Sequence, residues 1–489
     1  MRIKGKISRN YIPYEPNQQY LLPPDMGSWL PANHLVYFLL QLLQHMDLSV
    51  FDRTPTSRRG RPSYHYQMLC GLLLYAYSQG VTSSRTIERK TIEEIPYRIL
   101  AGNQHPDHNT IANFRKNYLS ELSSISTSLL LKLQQAGYIP LDLVSVDGTK
   151  VKANASIYEN MTQENAMKRK EQIEQWIKQK MKEADQQDQE EDDQFGSQNP
   201  FLGLPSGKNA NKTIDELTKE VNKLDQFLEK TEKEQNQPKE EEQPEKQTKR
   251  QKAICPLSPH EKLPPLDYVS NRTDPTSRIM LSGSNHAWVQ AFNVELAVDQ
   301  QNQFVVGVAV SQDCNDQGQL IPMVQQVEKQ FKQAPKQLLA DAGYCSEKNL
   351  TYLLQKQIDG FVATGRPEWL HHDQKEKVES ITTDSSSSSL KENGYTHRLG
   401  FSLVENMGLK LKTEQGKETY QKRGNLSESS FGFIRHILKF NQFSLRGLQN
   451  VQGEANLLIL AYNLRKYYRI CHPMVVKPRK KNSLSLVMG

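Results

Sequence analysis

Three acidic residues of this chain sit where a solvated surface charge has little reason to be. Asp147 follows the apolar run 141–146 in LDLVSVDGTK, and Asp341 follows a second run in QLLADAGYCS. Glu428 stands in KRGNLSESSFGFIRHILKF, an amphipathic, basic segment that reads as a helix opening at the glutamate. Two acids at strand ends and one on a helix can bring three carboxylates to one point. Such a cluster repels itself unless cations sit within it, and hard divalent ions prefer carboxylate oxygen. Each acid also has a plainer reading. An Asp before Gly ordinarily marks a turn, and Glu428 alone is a first-turn acid favoured by the helix dipole. Asp142, Asp299 and Asp313 have surroundings similar to those of Asp147.

The elements that would carry these acids are short β-rich runs at 141–146, 291–298, 304–310, 337–340 and 360–364. Helical patterns at 317–331 and 346–357 lie among them, and that alternation indicates a mixed α/β sheet. Residues 1–120 read instead as helices, at 31–48, at 66–78, from Ser83–Arg85 onward, and at 106–115, where Asp107 or Asn109 is a plausible cap. The basic segment 58–62 lies between the first two. Short helices interleaved with Arg and Lys suit DNA binding and suit a plain helical scaffold equally. The chain end is a strongly apolar helix, 455–468, followed by a basic tail.

Residues 156–265 interrupt the sheet after its first strand and are rich in Lys, Glu, Gln and Asn. Ile214, Leu217, Val221, Leu224 and Leu228 keep heptad spacing over two heptads, which fits a helical hairpin or coiled coil and also a single solvated helix. Residues 183–212 and 233–255 have the composition of disordered chain, and Ser385–Ser389 is a further low-complexity loop.

At 489 residues the chain exceeds one compact core. Lys and Arg number 62 against 55 Asp and Glu, a net +7, and much of the acid is concentrated at 183–193 and 232–245. The remainder is more basic than the total, which fits a polyanionic partner. The five cysteines are scattered without a CxxC pair, so neither a disulfide framework nor a cysteine zinc site is expected. That usage points to a reducing, cytoplasmic compartment. No apolar stretch approaches the roughly 20 residues of a membrane span, so no membrane partner is expected. Trp369 and the His371-His372-Asp373 run read as packing and loop residues, since adjacent histidines point in different directions.

Four separated segments, in order, carry a resemblance. They are RPSYHYQMLCGLLLYAYSQGVTSSRTIE with ILAGNQHPDHNTIANFR, NRTDPTSRIM with VQAFNVELAVD, LLADAGYCS, and YQKRGNLSESSFGFIRHILKFNQFSLRGLQNV with LLILAYNLRK. In these the chain resembles the DDE transposases of bacterial insertion sequences, within the IS-four-like superfamily. The resemblance implies an α/β fold: an RNase H-like mixed sheet, a helical N-terminal domain, and a helical, partly disordered insertion between the first and second strands. It implies a division into 1–120 (DNA binding), 121–155 and 266–470 (catalytic), 156–265 (insertion) and 471–489 (basic tail). The catalytic and metal-holding acids would be Asp147, Asp341 and Glu428. The family's Tyr-Arg-Glu-Lys signature falls on Tyr420, Arg423, Glu428 and Arg435, so Tyr420, Arg423 and Arg435 would contact DNA. The Arg-to-Glu interval is one residue longer than the signature's, and the last basic position is Arg in place of Lys.

By that resemblance the chain would cut and join DNA at the ends of its own element. Both steps are in-line displacements at phosphorus, served by two Mg²⁺ (or Mn²⁺) ions about 3.5–4 Å apart. The partners would be double-stranded DNA, as terminal inverted repeats and as target, and a second copy of the chain assembled on it. The protein would be associated with the bacterial nucleoid. Two other readings remain at this point: a catalytically silent, transposase-derived DNA-binding protein, and a metal-independent hydrolase with a carboxylate pair, such as a glycosidase.

Overall fold

The structure, a computed structural model, describes residues 26–53, 63–195, 217–229 apart from 220, 223 and 227, 269–281, 287–364, 389–392, 395–398 and 401–473. Segment 58–62, Trp369, the 371–373 run, Ser385–Ser388 and the basic tail after 473 lie outside the described residues. The chain divides into two compact units, Met1–Glu121 with Asn463–Gly489, and Leu122–Tyr462.

In the first unit, α1 (Leu35–His45), α2 (Tyr66–Ser78), α3 (Ser84–Glu93), α4 (Ile95–Leu100) and α5 (His108–Asn117) follow one another. Every residue of α2 from Leu69 to Ser78 is buried, which explains its apolar sequence on all sides. Ser83 caps α3 by accepting from the Thr86 amide, and Asp107 caps α5 by accepting from the Thr110 amide. The buried Arg115 donates to the Tyr77 hydroxyl at 3.1 Å and to the Thr82 carbonyl at 2.8 Å. At least this one of the interleaved basic residues therefore serves the fold. The short helix α4 was hidden from pattern reading by Pro96, which sits in its first turn, where a missing N–H costs nothing.

In the second unit a six-stranded sheet carries the core. Its strands are β1 (Leu143–Lys152), β4 (Arg278–Leu281), β5 (Trp288–Asp299), β6 (Val305–Ser311), β7 (Gln337–Ala340) and β8 (Asp359–Val362). The order is β4-β5-β1-β7-β8, and β6 pairs with β5 beyond the end of β4. β5 is antiparallel to β1, β4 and β6, whereas β7 runs parallel to β1 and β8. Counting β1, β5, β6, β7 and β8 as the five principal strands, the spatial order is three-two-one-four-five. This is an RNase H-like sheet.

β5 is buried on both faces from Gln290 onward, as expected of a central strand. The edge of β6 is blunted by two side chains: the Val310 amide donates to Gln452 Oε1 at 2.8 Å, and Gln452 Nε2 and Gln326 Nε2 each donate to the Val308 carbonyl at 3.2 Å.

β1 departs from the expectation of a strand ending before Asp147. It continues to Lys152, because β5 pairs with every residue from Val144 to Lys152. Asp147 and Gly148 therefore lie inside a strand. The turn reading of Asp-Gly fails because cross-strand hydrogen bonds outweigh a local turn preference.

The insertion leaves β1 through a two-stranded stem, β2 (Asn160–Thr162) with β3 (Val269–Asn271). Asn271 ties the stem, its Nδ2 donating to the Ser156 carbonyl at 2.7 Å and to Asn160 Oδ1 at 2.8 Å. From the stem rises α6 (Gln163–Phe195), and helical residues of 217–229 pack against it. Leu224 is buried against Ala166 and Ile173, flanked by Ile177, Leu217, Val221 and Leu228. The heptad residues Leu217, Val221, Leu224 and Leu228 thus meet a partner helix within the insertion, and Ile214 lies outside the described residues. Residues 183–195, expected to lack structure, continue α6.

Candidate active site

Side chains alternate across a strand, so Ser145, Asp147 and Thr149 of β1 share one face. A single helical segment covers that face: a helix over Glu414–Gly432 that passes into a π-helical turn, Phe433–Ile437. Ser145 and Ser427 meet through their hydroxyls at 2.8 Å, both fully buried. Residues this small allow the helix to approach the strand closely. Arg435 Nη2 donates to Thr149 Oγ1. Arg423 reaches Asp147, its Nη2 lying 3.4 Å from Oδ2.

Asp341 joins them through the sheet register. Ser145 lies beside Leu339 on the parallel neighbour β7, so two residues further along each chain Asp147 and Asp341 come side by side. The same Arg423 nitrogen is 3.5 Å from Asp341 Oδ2. Asp341 caps a 3-10 turn, Ala342–Tyr344, its Oδ1 accepting from the Gly343 amide at 2.8 Å. Burial pushes the Asp147 carboxyl up to about 6, with Arg423 opposing and Asp341 reinforcing the shift. Two carboxylates facing one half-buried guanidinium are a donor set that suits a hard divalent ion in its place. Among the described residues, Arg423 Nε is buried without a hydrogen-bond partner.

Glu428 does not open its helix. Thr413 caps that helix by accepting from the Gly416 amide, and Glu428 lies four turns further on, nearer its C-terminal end. Neither Gly416 nor Gly424 breaks the run. The helix-dipole reading of Glu428 therefore does not apply. Its side chain is exposed and lies back along the helix, with Oε1 3.9 Å from where a Cβ on Gly424 would stand. Among the described residues, no three Asp, Glu, His or Cys side chains approach closely enough to hold one ion. Asp147, Asp341 and Arg423 are together; Glu428 is on the same helix as Arg423, turned outward.

Tyr420 packs against the apolar cluster of Leu143, Leu339, Phe361 and Leu426. Phe431 lines a small apolar cavity with Val294, Leu296 and Ile434. Among the described residues, and apart from its own helix backbone and chain neighbours, no atom lies within 4 Å of a Cβ built on Gly432. This glycine stands where the helix widens into the π turn that carries Arg435.

On the other face of β1 lies a second polar group that sequence reading missed. Glu295 is opposite Gly148 in the β1–β5 pairing. A Cβ on Gly148 would stand 2.7 and 2.9 Å from its two carboxylate oxygens. Glu295 accepts from the Tyr344 hydroxyl and from Asn293 Nδ2, the latter at 2.7 Å. Asn293 Nδ2 also donates to Asp316 Oδ1 at 2.7 Å, and Lys150 Nζ donates to that same oxygen at 2.7 Å. Burial, the largest cause, pushes the Glu295 carboxyl up to about 8. The available signal was a charged residue and an amide at alternate positions of the apolar strand AFNVELAV, with a glycine inside the facing strand.

The rival acids have other partners. Asp142 pairs with Lys336 at the surface, at 2.7 Å. Asp299 is fully buried and accepts from the Leu141 and Gln301 amides at 3.2 and 3.0 Å, closing a loop. Asp313 accepts from Gln319 Nε2 at 2.6 Å.

Two family models match the chain: "Transposase domain (DUF772)" over residues 24–117 and "Transposase DDE domain" over residues 273–464. Asp341, Arg423, Glu428 and Arg435 fall within the second span, and Asp147 lies between the two. No curated protein and no solved structure matches the chain. Among the described residues no helix is long and apolar enough to cross a membrane. Domains of this DDE type generally depend on divalent metal and act on DNA. With a helical transposase domain, a DDE domain and an RNase H-like sheet in one polypeptide, the chain belongs to the DDE transposases of insertion sequences and functions in DNA transposition.

Proposed function

We propose that this transposase cuts and transfers DNA strands at the ends of its element, with Asp147, Asp341 and Glu428 as the acids that hold its metal ions. The observation that carries this reading is the shared Arg423 contact of Asp147 and Asp341, at 3.4 and 3.5 Å. Two acids from neighbouring parallel strands, held apart by one guanidinium, form a place for positive charge. Glu428 completes the set by swinging inward about its own side-chain torsions from the helix that carries Arg423.

Two Mg²⁺ or Mn²⁺ ions, when bound, activate the attacking oxygen and stabilise the leaving one. The chain's own residues do the rest. Asp147 is held by a central strand and so has the least freedom to move, which suits a shared ligand. Arg423, displaced from the acids, presents a planar fork to a phosphate at the cut site. Arg435 supplies a second positive charge on the same segment, and Tyr420 fastens that segment to the cluster of Leu143, Leu339, Phe361 and Leu426. Buried Ser145 and Ser427 keep helix and strand at the distance these contacts need.

The proposal extends to an IS-four-like placement, to a dimer assembled on paired inverted repeats, to work at the bacterial nucleoid, and to residues 1–120 as the DNA-binding part. Beside these stand 121–155 with 266–470 as the catalytic part, 156–265 as an insertion and 471–489 as a basic tail.

The test is cleavage of a labelled element end by the full-length protein with Mg²⁺ or Mn²⁺. Nicking that needs the ion is expected. Binding of that DNA without nicking under either ion would remove the catalytic reading.

A further inference from the structure

We propose that Glu295 and Tyr344 are positioning residues: a clamp on the far face of β1 that sets the spacing of the Asp147 and Asp341 carboxylates. This rests on the reading of those two acids as metal ligands. It begins from a gap in the sheet. The hydrogen-bonded ladder between β1 and β7 ends at the pair Ser145 and Leu339, two residues short of each acid. Beyond that pair the ladder no longer fixes how far apart the two acid-bearing backbones stand.

Glu295 and Tyr344 bridge the gap. Glu295 is paired with Gly148, the residue next to Asp147, across the β1–β5 ladder, and its carboxylate fills the space where a Gly148 side chain would begin. Tyr344 closes the 3-10 turn that Asp341 caps. Its hydroxyl donates to Glu295, so one hydrogen bond joins the backbone beside Asp147 to the turn beside Asp341. Both side chains are fully buried, and neither end is loose. Asn293 holds the second Glu295 oxygen at 2.7 Å. The Asn349 side chain holds the Tyr344 carbonyl, also at 2.7 Å.

Arg423 also bridges the two acids, but from the side where cations would enter. A cation entering there displaces it, and the clamp is then the remaining link. Sites of this kind work only when their ligands are held to about 0.5 Å, usually by partners one layer out.

The experiment titrates Mn²⁺ into the full-length protein without DNA and counts free ion by electron paramagnetic resonance. The variants are Tyr344→Phe, Glu295→Ala, Glu295→Gln and Asp147→Asn, each with its thermal midpoint. Tyr344→Phe and Glu295→Ala are expected to weaken Mn²⁺ binding about 10-fold. Glu295→Gln, which can still pair with the Tyr344 hydroxyl, is expected to restore most of it. Tyr344→Phe removes a single oxygen, so it carries the test should Glu295→Ala not fold. Wild-type Mn²⁺ affinity in folded Tyr344→Phe, even with a lowered thermal midpoint, would overturn the clamp. Loss of binding in Asp147→Asn alongside that result would leave the metal reading standing. Unchanged binding in Asp147→Asn would instead remove the metal reading, and the clamp with it.

Discussion

Arg423 and Asp147 are joined across the helix–strand interface, Nη2 to Oδ2 at 3.4 Å, and the same nitrogen is within 3.5 Å of Asp341. The pairing supplies the positive charge that two adjacent, largely buried carboxylates need. It also stands in the way of any other cation. Arg423 Nε, buried without a partner among the described residues, shows that this resting position leaves part of the guanidinium unsatisfied, at a cost of about 1–3 kcal/mol.

Arg423→Gln is therefore expected to have opposite effects on two measurements. Mn²⁺ affinity in the absence of DNA rises, because a competing cation is gone. Strand cleavage falls about 100-fold, because the fork that would meet the phosphate is gone too. Cleavage unchanged in this variant would show that Arg423 only fills space between the acids.

Asp147→Ala, Asp341→Ala and Glu428→Ala are each expected to lower cleavage by about 1000-fold or more, the loss of several kcal/mol of charge stabilisation. DNA binding measured by gel shift stays nearly intact, since none of the three is a positive contact. Glu428 is the most exacting case, because it is exposed and turned outward. Full cleavage by Glu428→Ala would mean that the third acid has been misassigned.

Gly148→Ala places a methyl group 2.7 to 3.0 Å from the Glu295 carboxylate. Overpacking of a buried site by one carbon costs about 1–3 kcal/mol, to be read by urea denaturation. Combining it with Glu295→Ala, which removes the obstacle, recovers part of the loss. Strict additivity of the two changes would show that the collision does not form.

Glu295 makes stability depend on pH in a definite direction. Its carboxyl is raised in the folded protein to about 8 from a usual 4.5, so the native state holds a proton that the unfolded chain has released. The stability this contributes is fully present below the ordinary carboxylate range. It is lost as pH rises through the window up to about 8. Glu295→Gln cannot titrate, so its thermal midpoint relative to wild type is expected to climb between pH 5 and pH 8.5. A constant difference across that range would mean that Glu295 stays ionised throughout.

Much of the architecture was legible in the residues because it follows from local periodicity. The span 66–78 reads as an apolar helix, and α2 (Tyr66–Ser78) is that helix. The run 337–340 is β7 (Gln337–Ala340). Ser83 and Asp107 announce the helices they cap. The boundaries that went wrong did so where a distant partner decided the outcome. β1 continues through Asp147-Gly148 because β5 pairs with it, and the helix carrying Glu428 starts at Glu414 because Thr413 caps it.

The sequence alone determined which chemistry was available: acids after two apolar runs, a basic helix with a third acid, and the order of transposase-like segments. The tertiary structure decided which acids meet. A parallel register between β1 and β7 brings Asp147 to Asp341 across nearly two hundred residues of chain, and a helix over both places Arg423 between them. It also revealed Glu295 behind Gly148. Such pairings depend on strand register and burial, quantities that sum contacts from the whole sheet, and no local stretch of residues encodes them.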